Sequence, residues 1–192
     1  MPYLTLQIIR DEHAALAAVL RSLLMLVERG PQNEPERFFD VLRAMLFYID
    51  EFPEKLHHPK ETELLFPKLE RAAPQLRPVI ARLDLDHHNG EGRVRSLQHL
   101  LLGWELLGDK RRAEFVEAAK NYVGFYLDHM RTEEAELLPV AERVLTQSDW
   151  QELDAEFQAT RDPLAGGARE PAYDRLFTRI VMTAPAPIGV GP

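Results

Sequence analysis

From Leu4 to Arg29 the apolar residues Leu6, Ile9, Leu16, Leu20, Leu23, Leu24 and Val27 recur at helical spacing, with His13 set among them. One face of a single long helix is therefore apolar. Gly30 and Pro31 punctuate it, and Asn33 to Glu36 read as the cap and first turn of a second helix. That helix carries Phe38, Phe39, Val41, Leu42, Met45, Leu46, Tyr48 and Ile49 before it meets Pro53 and Pro59. Proline removes a hydrogen bond and crowds the carbonyl four residues back, so a bend or a restart is expected between Glu51 and Lys60. A third helix is predicted from the Pro74 to Pro78 region to about Leu107, with Ile80, Leu83, His87, Val94, Leu97, Leu101 and Trp104 on its apolar face. Gly90 and Gly92 interrupt it at a cost of about 0.5 to 1 kcal/mol each, which a close backbone approach or a ligand would offset. A fourth helix, from about Lys110 to Leu145, carries Phe115, Ala118, Tyr122, Phe125, Tyr126, His129, Glu133, Leu137 and Val140, with Pro139 near its end. A shorter helix starts at Asp149-Trp150 and runs to about Thr160, and Tyr173 to Thr183 is amphipathic.

These elements predict an all-α protein. Residues 1–145 form the bundle, 146–183 a helical extension, and the tail 184–192, APAPIGVGP, is expected to be disordered. A chain of 192 residues, 45% hydrophobic and 28% charged, suits one well-filled globular domain with that extension. A net charge of -8 argues against nucleic acid or an anionic membrane as the main partner. With no Cys, disulfides, thiolate catalysis and cysteine-held iron-sulfur clusters are excluded, so any metal must be held by nitrogen and oxygen. The first residues lack a basic stretch leading into an apolar run, and no run is long enough to span a bilayer, so a cytoplasmic location is expected.

The polar residues on the helices carry the chemistry. His57 and Glu61, His87 and Glu91, and His129 and Glu133 are each four residues apart, which stacks an imidazole over a carboxylate on one helix face. Such a pair can bind one metal ion or bridge to a second. Taken singly, each has an ordinary structural explanation: HxxxE on a helix is a surface pair worth a few tenths of a kcal/mol, about what isolated helices show. His13 alone would be a hydrogen-bonded core histidine. Together they are different, because three glutamates and four histidines on four apolar faces would be costly to bury without compensating positive charge. His58, His88 and His99 have no carboxylate four residues on and are expected to face solvent or to stand behind the site. There is also an internal repeat: setting His57 on His129 aligns Glu61 with Glu133, Leu65 with Leu137 and Pro67 with Pro139, while His13 falls near His87. Two related helix hairpins would bring these residues to one centre.

A lone His on the first helix, HHPKETELLFP on the second, DHHNGE on the third and HMRTEEAELLP on the fourth resemble the hemerythrin-like, or HHE cation-binding, domain over roughly Leu4 to Val144. The resemblance implies an antiparallel up-down-up-down four-helix bundle holding two iron ions in an oxo- or hydroxo-bridged centre. By the same resemblance His13, His57, His87 and His129 would be terminal ligands, and Glu61 and Glu133 bridging carboxylates. The oxygen-carrying members have HxxxH on the third helix where this chain has His87 and Glu91. If Glu91 ligates, a third carboxylate favours the ferric state and hinders clean oxygen release. The expected function is binding or sensing of a small ligand such as oxygen, nitric oxide or iron itself, with no catalytic residue assigned. A di-iron enzyme acting on peroxide, ferrous iron or nitrosatively damaged iron centres is the alternative, and a structural zinc site a third reading. Helices beyond Ser148 are expected to offer a partner or homodimer surface.

Overall fold

The computed structural model describes residues 3–168, 171–184 and 189. Among these residues the ordered elements are all helical. Helix α1 is Leu4–Arg29; the rod α2, residues 35–72, runs unbroken through α-helical Pro35–Ile49, π-helical Asp50–His57, α-helical His58–Lys60, π-helical Glu61–Leu65 and α-helical Phe66–Ala72. Helix α3 is Arg77–Leu107, and the rod α4, residues 112–144, comprises Arg112–Thr132, a π-helical turn Glu133–Leu137 and Leu138–Val144. Two helices follow, α5 at Gln147–Ala159 and α6 at Asp174–Thr183. Gly30 and Gly108 close α1 and α3 at positive φ, 73° and 80°, where a side chain would be strained. The expected disordered tail lies outside the described residues apart from Ala184 and Gly189.

Of the bend or restart expected between Glu51 and Lys60, the restart does not occur. The backbone instead widens into π turns around Pro53 and again just before Pro67 and Pro139. A π turn skips the i to i-4 register, so it accommodates a missing N–H and gives the ring room beside the carbonyl four residues back. Both repeated Glu-x-x-x-Leu-Leu/Phe-Pro segments widen in the same way, beginning at Glu61 and at Glu133.

Helix α1 packs on α2 and α4, and α3 packs on the same two. Two apolar cores result. One gathers Leu16 to Val27 of α1, Phe38 to Phe52 of α2, Val94 to Trp104 of α3 and Phe115 to Met130 of α4. The other gathers Leu6, Ile8 and Ile9, then Leu65 to Leu76, Ile80 and Leu83, and Leu137 to Leu145. Thus α1 and α3 run from the second core to the first while α2 and α4 run the other way. Between the cores lies a layer of histidines and glutamates.

The extension folds back on its own chain. A capping box, in which Thr146 Oγ1 accepts from the Asp149 N–H and Asp149 Oδ2 accepts from the Thr146 N–H, starts α5. Its Trp150, Leu153 and Phe157 are buried in the second core, and Trp150 stacks on Tyr3 at 4.2 Å. Phe177 and Ile180 of α6 join the first core. Trp150→Ala is therefore expected to destabilise the protein by about 3–5 kcal/mol in denaturant unfolding, as for buried aromatic truncations generally; a change near zero would mean that α5 is not docked.

Candidate metal centre

Three groups of buried side chains in the polar layer bring candidate ligand atoms within 4.8 Å of one another: His13, His57 and Glu61; His58, His87 and His129; Glu61, His129 and Glu133. The two glutamates sit between the histidine groups. Glu61 Oε1 is 3.0 Å from His57 Nε2 and its Oε2 3.5 Å from His87 Nε2. Glu133 Oε2 is 3.4 Å from His13 Nε2 and 3.9 Å from His129 Nε2. Both glutamates are fully buried, and beyond these close approaches to imidazole nitrogens none of their four carboxylate oxygens makes a hydrogen bond of regular geometry. Buried polar atoms normally have one, so this is a site shaped for something further.

The other nitrogen of each ring is held from outside. Glu12 Oε2 is 2.6 Å from His57 Nδ1, Thr62 Oγ1 2.9 Å from His87 Nδ1, Asp86 Oδ2 3.4 Å from His129 Nδ1 and Glu134 Oε1 2.9 Å from His13 Nδ1. Each holder adjoins a cluster residue in sequence and reaches the imidazole on the next rod: α1 to α2, α2 to α3, α3 to α4, and α4 back to α1. The four bonds close a ring around the bundle. Thr62 donates its only hydroxyl proton to Asp84, so it accepts from His87. His87 and His129 therefore carry their protons on Nδ1, and their bare Nε2 atoms face one another at 3.1 Å. Two lone pairs so placed repel unless a cation or proton lies between them or beside them. Outer partners that fix tautomer and ring orientation in this way accompany metal-bound histidines.

Electrostatics divide the cluster. Burial, joined by neighbouring histidine charges, keeps His58 and His87 well below the ordinary histidine value, and burial lowers His129 despite Glu133. Burial also opposes charge on His13, but contact with Glu133 and Glu134 lifts it to about 9. His57 is raised too, against burial, by Glu61 and Glu12. Burial and the Glu133 charge push Glu61 up to about 7, whereas Glu133, which burial alone would raise, is held low by His13. In the metal-free chain protons on His13 and His57 thus supply the positive charge.

Of the seven residues singled out from sequence, the fold brings six together: His13, His57, Glu61, His87, His129 and Glu133. Glu91 is not among them. Its side chain is 47% exposed and pairs with Arg95. Four residues advance a helix by about 40° beyond a full turn, which here carries Glu91 from the inward line of His87 to the rim. The inward line at that level belongs to Gly90, where a Cβ would stand 1.8 Å from Tyr126 Oη and 2.8 Å from Glu54 Oε2. Gly92 has open space beside it. The charge argument built on a third carboxylate therefore fails. His58 corrects a second expectation: it is only 4% exposed and belongs to the cluster, while His88 and His99 are exposed as expected. Its signal was Glu54, four residues before it rather than after. Glu54 Oε2 lies 3.2 Å from His58 Nδ1, and its Oε1 accepts from Tyr126 Oη at 2.5 Å and Tyr122 Oη at 3.1 Å. Phe125 packs, partly buried, against the first core, and the Arg93 guanidinium lies 4.0 Å from its ring centre.

An all-α bundle with a buried layer of imidazoles and carboxylates at mid-height defines a helical cation-binding domain. The chain belongs to the hemerythrin family: the family model "Hemerythrin HHE cation binding domain" matches residues 4–141. No curated protein matches the chain.

Two outcomes are expected in solution. Glu134→Ala, which frees His13 Nδ1 from a half-exposed partner, should weaken metal binding about 10- to 100-fold in competition titrations while helicity is retained. Because the folded values of His13 and His57 are raised, their contribution to metal-free stability is full below about 6.5, the unfolded histidine value, and is lost as pH rises through about 9 for His13. Metal must displace those protons, so metal affinity should rise across the same window, with proton release in calorimetry. Affinity that is flat between pH 6.5 and 9 would contradict this.

Proposed function

We propose that the protein is a non-haem di-iron protein that binds or senses a small ligand. The observation that carries the reading is the pair of buried carboxylates, Glu61 and Glu133, each lying between imidazole nitrogens of two histidine groups and making no hydrogen bond of regular geometry. In this reading His13 and His57 serve one ion, His58, His87 and His129 the other, and Glu61 and Glu133 both. Five imidazoles and two carboxylates suit two adjacent ions of high coordination number better than one tetrahedral zinc. His58 restores the fifth imidazole that Glu91 had seemed to replace, from α2 rather than α3.

When bound, an iron pair supplies redox chemistry and an open coordination position for oxygen, nitric oxide or peroxide. The chain's own residues do the rest. The ring of Glu12, Thr62, Asp86 and Glu134 orients four imidazoles, and Glu54 orients the fifth. Leu6 to Ile9 on one side and Leu16 to Leu20 on the other flank the layer with apolar surface, which limits water and strengthens the electrostatics inside. With neutral imidazoles, two divalent ions, one hydroxide and two carboxylates leave the centre positively charged.

Anaerobic loading with ferrous iron should reach two ions per chain, and exposure to air should give the near-ultraviolet bands of an oxo-bridged ferric pair. Glu61→Ala and Glu133→Ala should each lose at least one ion. Binding of one zinc per chain with no iron taken up would defeat the proposal. Sustained peroxide turnover in stopped flow, rather than a single stoichiometric event, would favour the enzyme reading.

A further inference from the structure

One face of the layer opens outward. A cavity of about 720 Å³ is bounded by Glu54, His58, Thr62, Asp84, His87 and Glu91, with Glu63 and His88 also on its wall. His58 and His87, two of the three members of the five-residue histidine set's larger group, are thus reached from the surface through one opening. Four other surface cavities touch none of the cluster residues, and each of them is lined by at least one Arg or Lys. This one is lined by four carboxylates and by no Arg or Lys. The carboxylates stand at two depths: Glu63 and Asp84 are exposed and the Glu91 side chain is 47% exposed, whereas Glu54 is buried beside His58. Arg95 offsets part of the Glu91 charge from outside the cavity wall.

We propose that this cavity is the passage by which divalent cations reach the buried cluster, with Glu63, Asp84 and Glu91 drawing them to its mouth. The inference rests on the two-cation reading above and adds to it a route and a kinetic role for Glu91. A mouth of one charge sign with low-dielectric walls focuses the field and raises the rate at which counter-ions arrive. That contribution is long-ranged, so it is screened by salt, whereas the affinity of the buried site is not set by the rim. Asp84 accepts from Thr62, which holds His87, so it is left intact in the test.

The test uses the full chain stripped of metal and mixed with cobalt(II) in stopped flow, with uptake followed by visible absorbance. E63Q/E91Q should load about three- to tenfold more slowly at low salt, and E63K/E91K more slowly still, as expected for loss of electrostatic steering. The differences should close near 1 M salt, where the screening length is about 3 Å. Final stoichiometry and equilibrium affinity should stay at the native level. Leu85→Trp, a bulky residue on the cavity wall, should slow loading at every salt concentration. Loading of E63K/E91K at the native rate in low salt would overturn the passage, as would slow loading that salt does not relieve. If the native chain took up no cobalt, iron or zinc at all, the two-cation reading itself would fall, an outcome separate from native-rate loading by the variants.

Discussion

The structure depends on a closed circuit of four side-chain hydrogen bonds at mid-height. Glu12, Thr62, Asp86 and Glu134 each adjoin a residue of the cluster, yet each holds an imidazole on the neighbouring rod. Neighbours in sequence point about 100° apart on a helix, so one residue can face the centre while the next reaches sideways. The circuit thereby sets the height and rotation of all four rods relative to one another. An apolar core alone specifies this poorly, because leucines slide past leucines at small cost, whereas a displaced buried hydrogen bond leaves an unsatisfied group.

The circuit also explains why the core is split. A layer of glutamate and histidine is unfavourable in an apolar interior. It persists because positive charge is supplied there, by protons on His13 and His57 in the metal-free chain and by cations in a family that binds them. The two apolar clusters on either side provide the stabilisation that tolerates such a layer.

The rods and six cluster residues were legible because helical periodicity and i, i+4 spacing both report which face a residue occupies. The two errors concern residues whose facing depends on what lies across the bundle. Glu91 has the same spacing from His87 as Glu61 has from His57, but Gly90 and Tyr126 fill the inward position. His58 adjoins His57, which on a regular helix would turn it away; in rod α2 the π turns before and after it alter that rotation, and Glu54 anchors it. The prolines at those turns were visible, but the expected effect was a bend or a restart, and a widening of the helix was not foreseen. The holders were legible only in part: each is a polar residue next to a cluster residue, but which imidazole it serves depends on the order in which the rods pack.

Among the described residues, the extension beyond the matched region reaches this circuit at Glu12. The Asp162 N–H donates to Glu12 Oε1 at 2.8 Å, while Tyr48 Oη donates to Asp162 Oδ2 and Arg161 pairs with Asp11. Glu12 is thus shared between the segment after α5 and the His57 ring. Thermodynamic reciprocity would then tie the two: whatever free energy the docked segment adds to ion binding through Glu12 equals the free energy by which a bound ion tightens that docking. Any ion at the buried centre would in this way be felt in the hydrogen-exchange protection of a segment about 20 residues past the family boundary at residue 141.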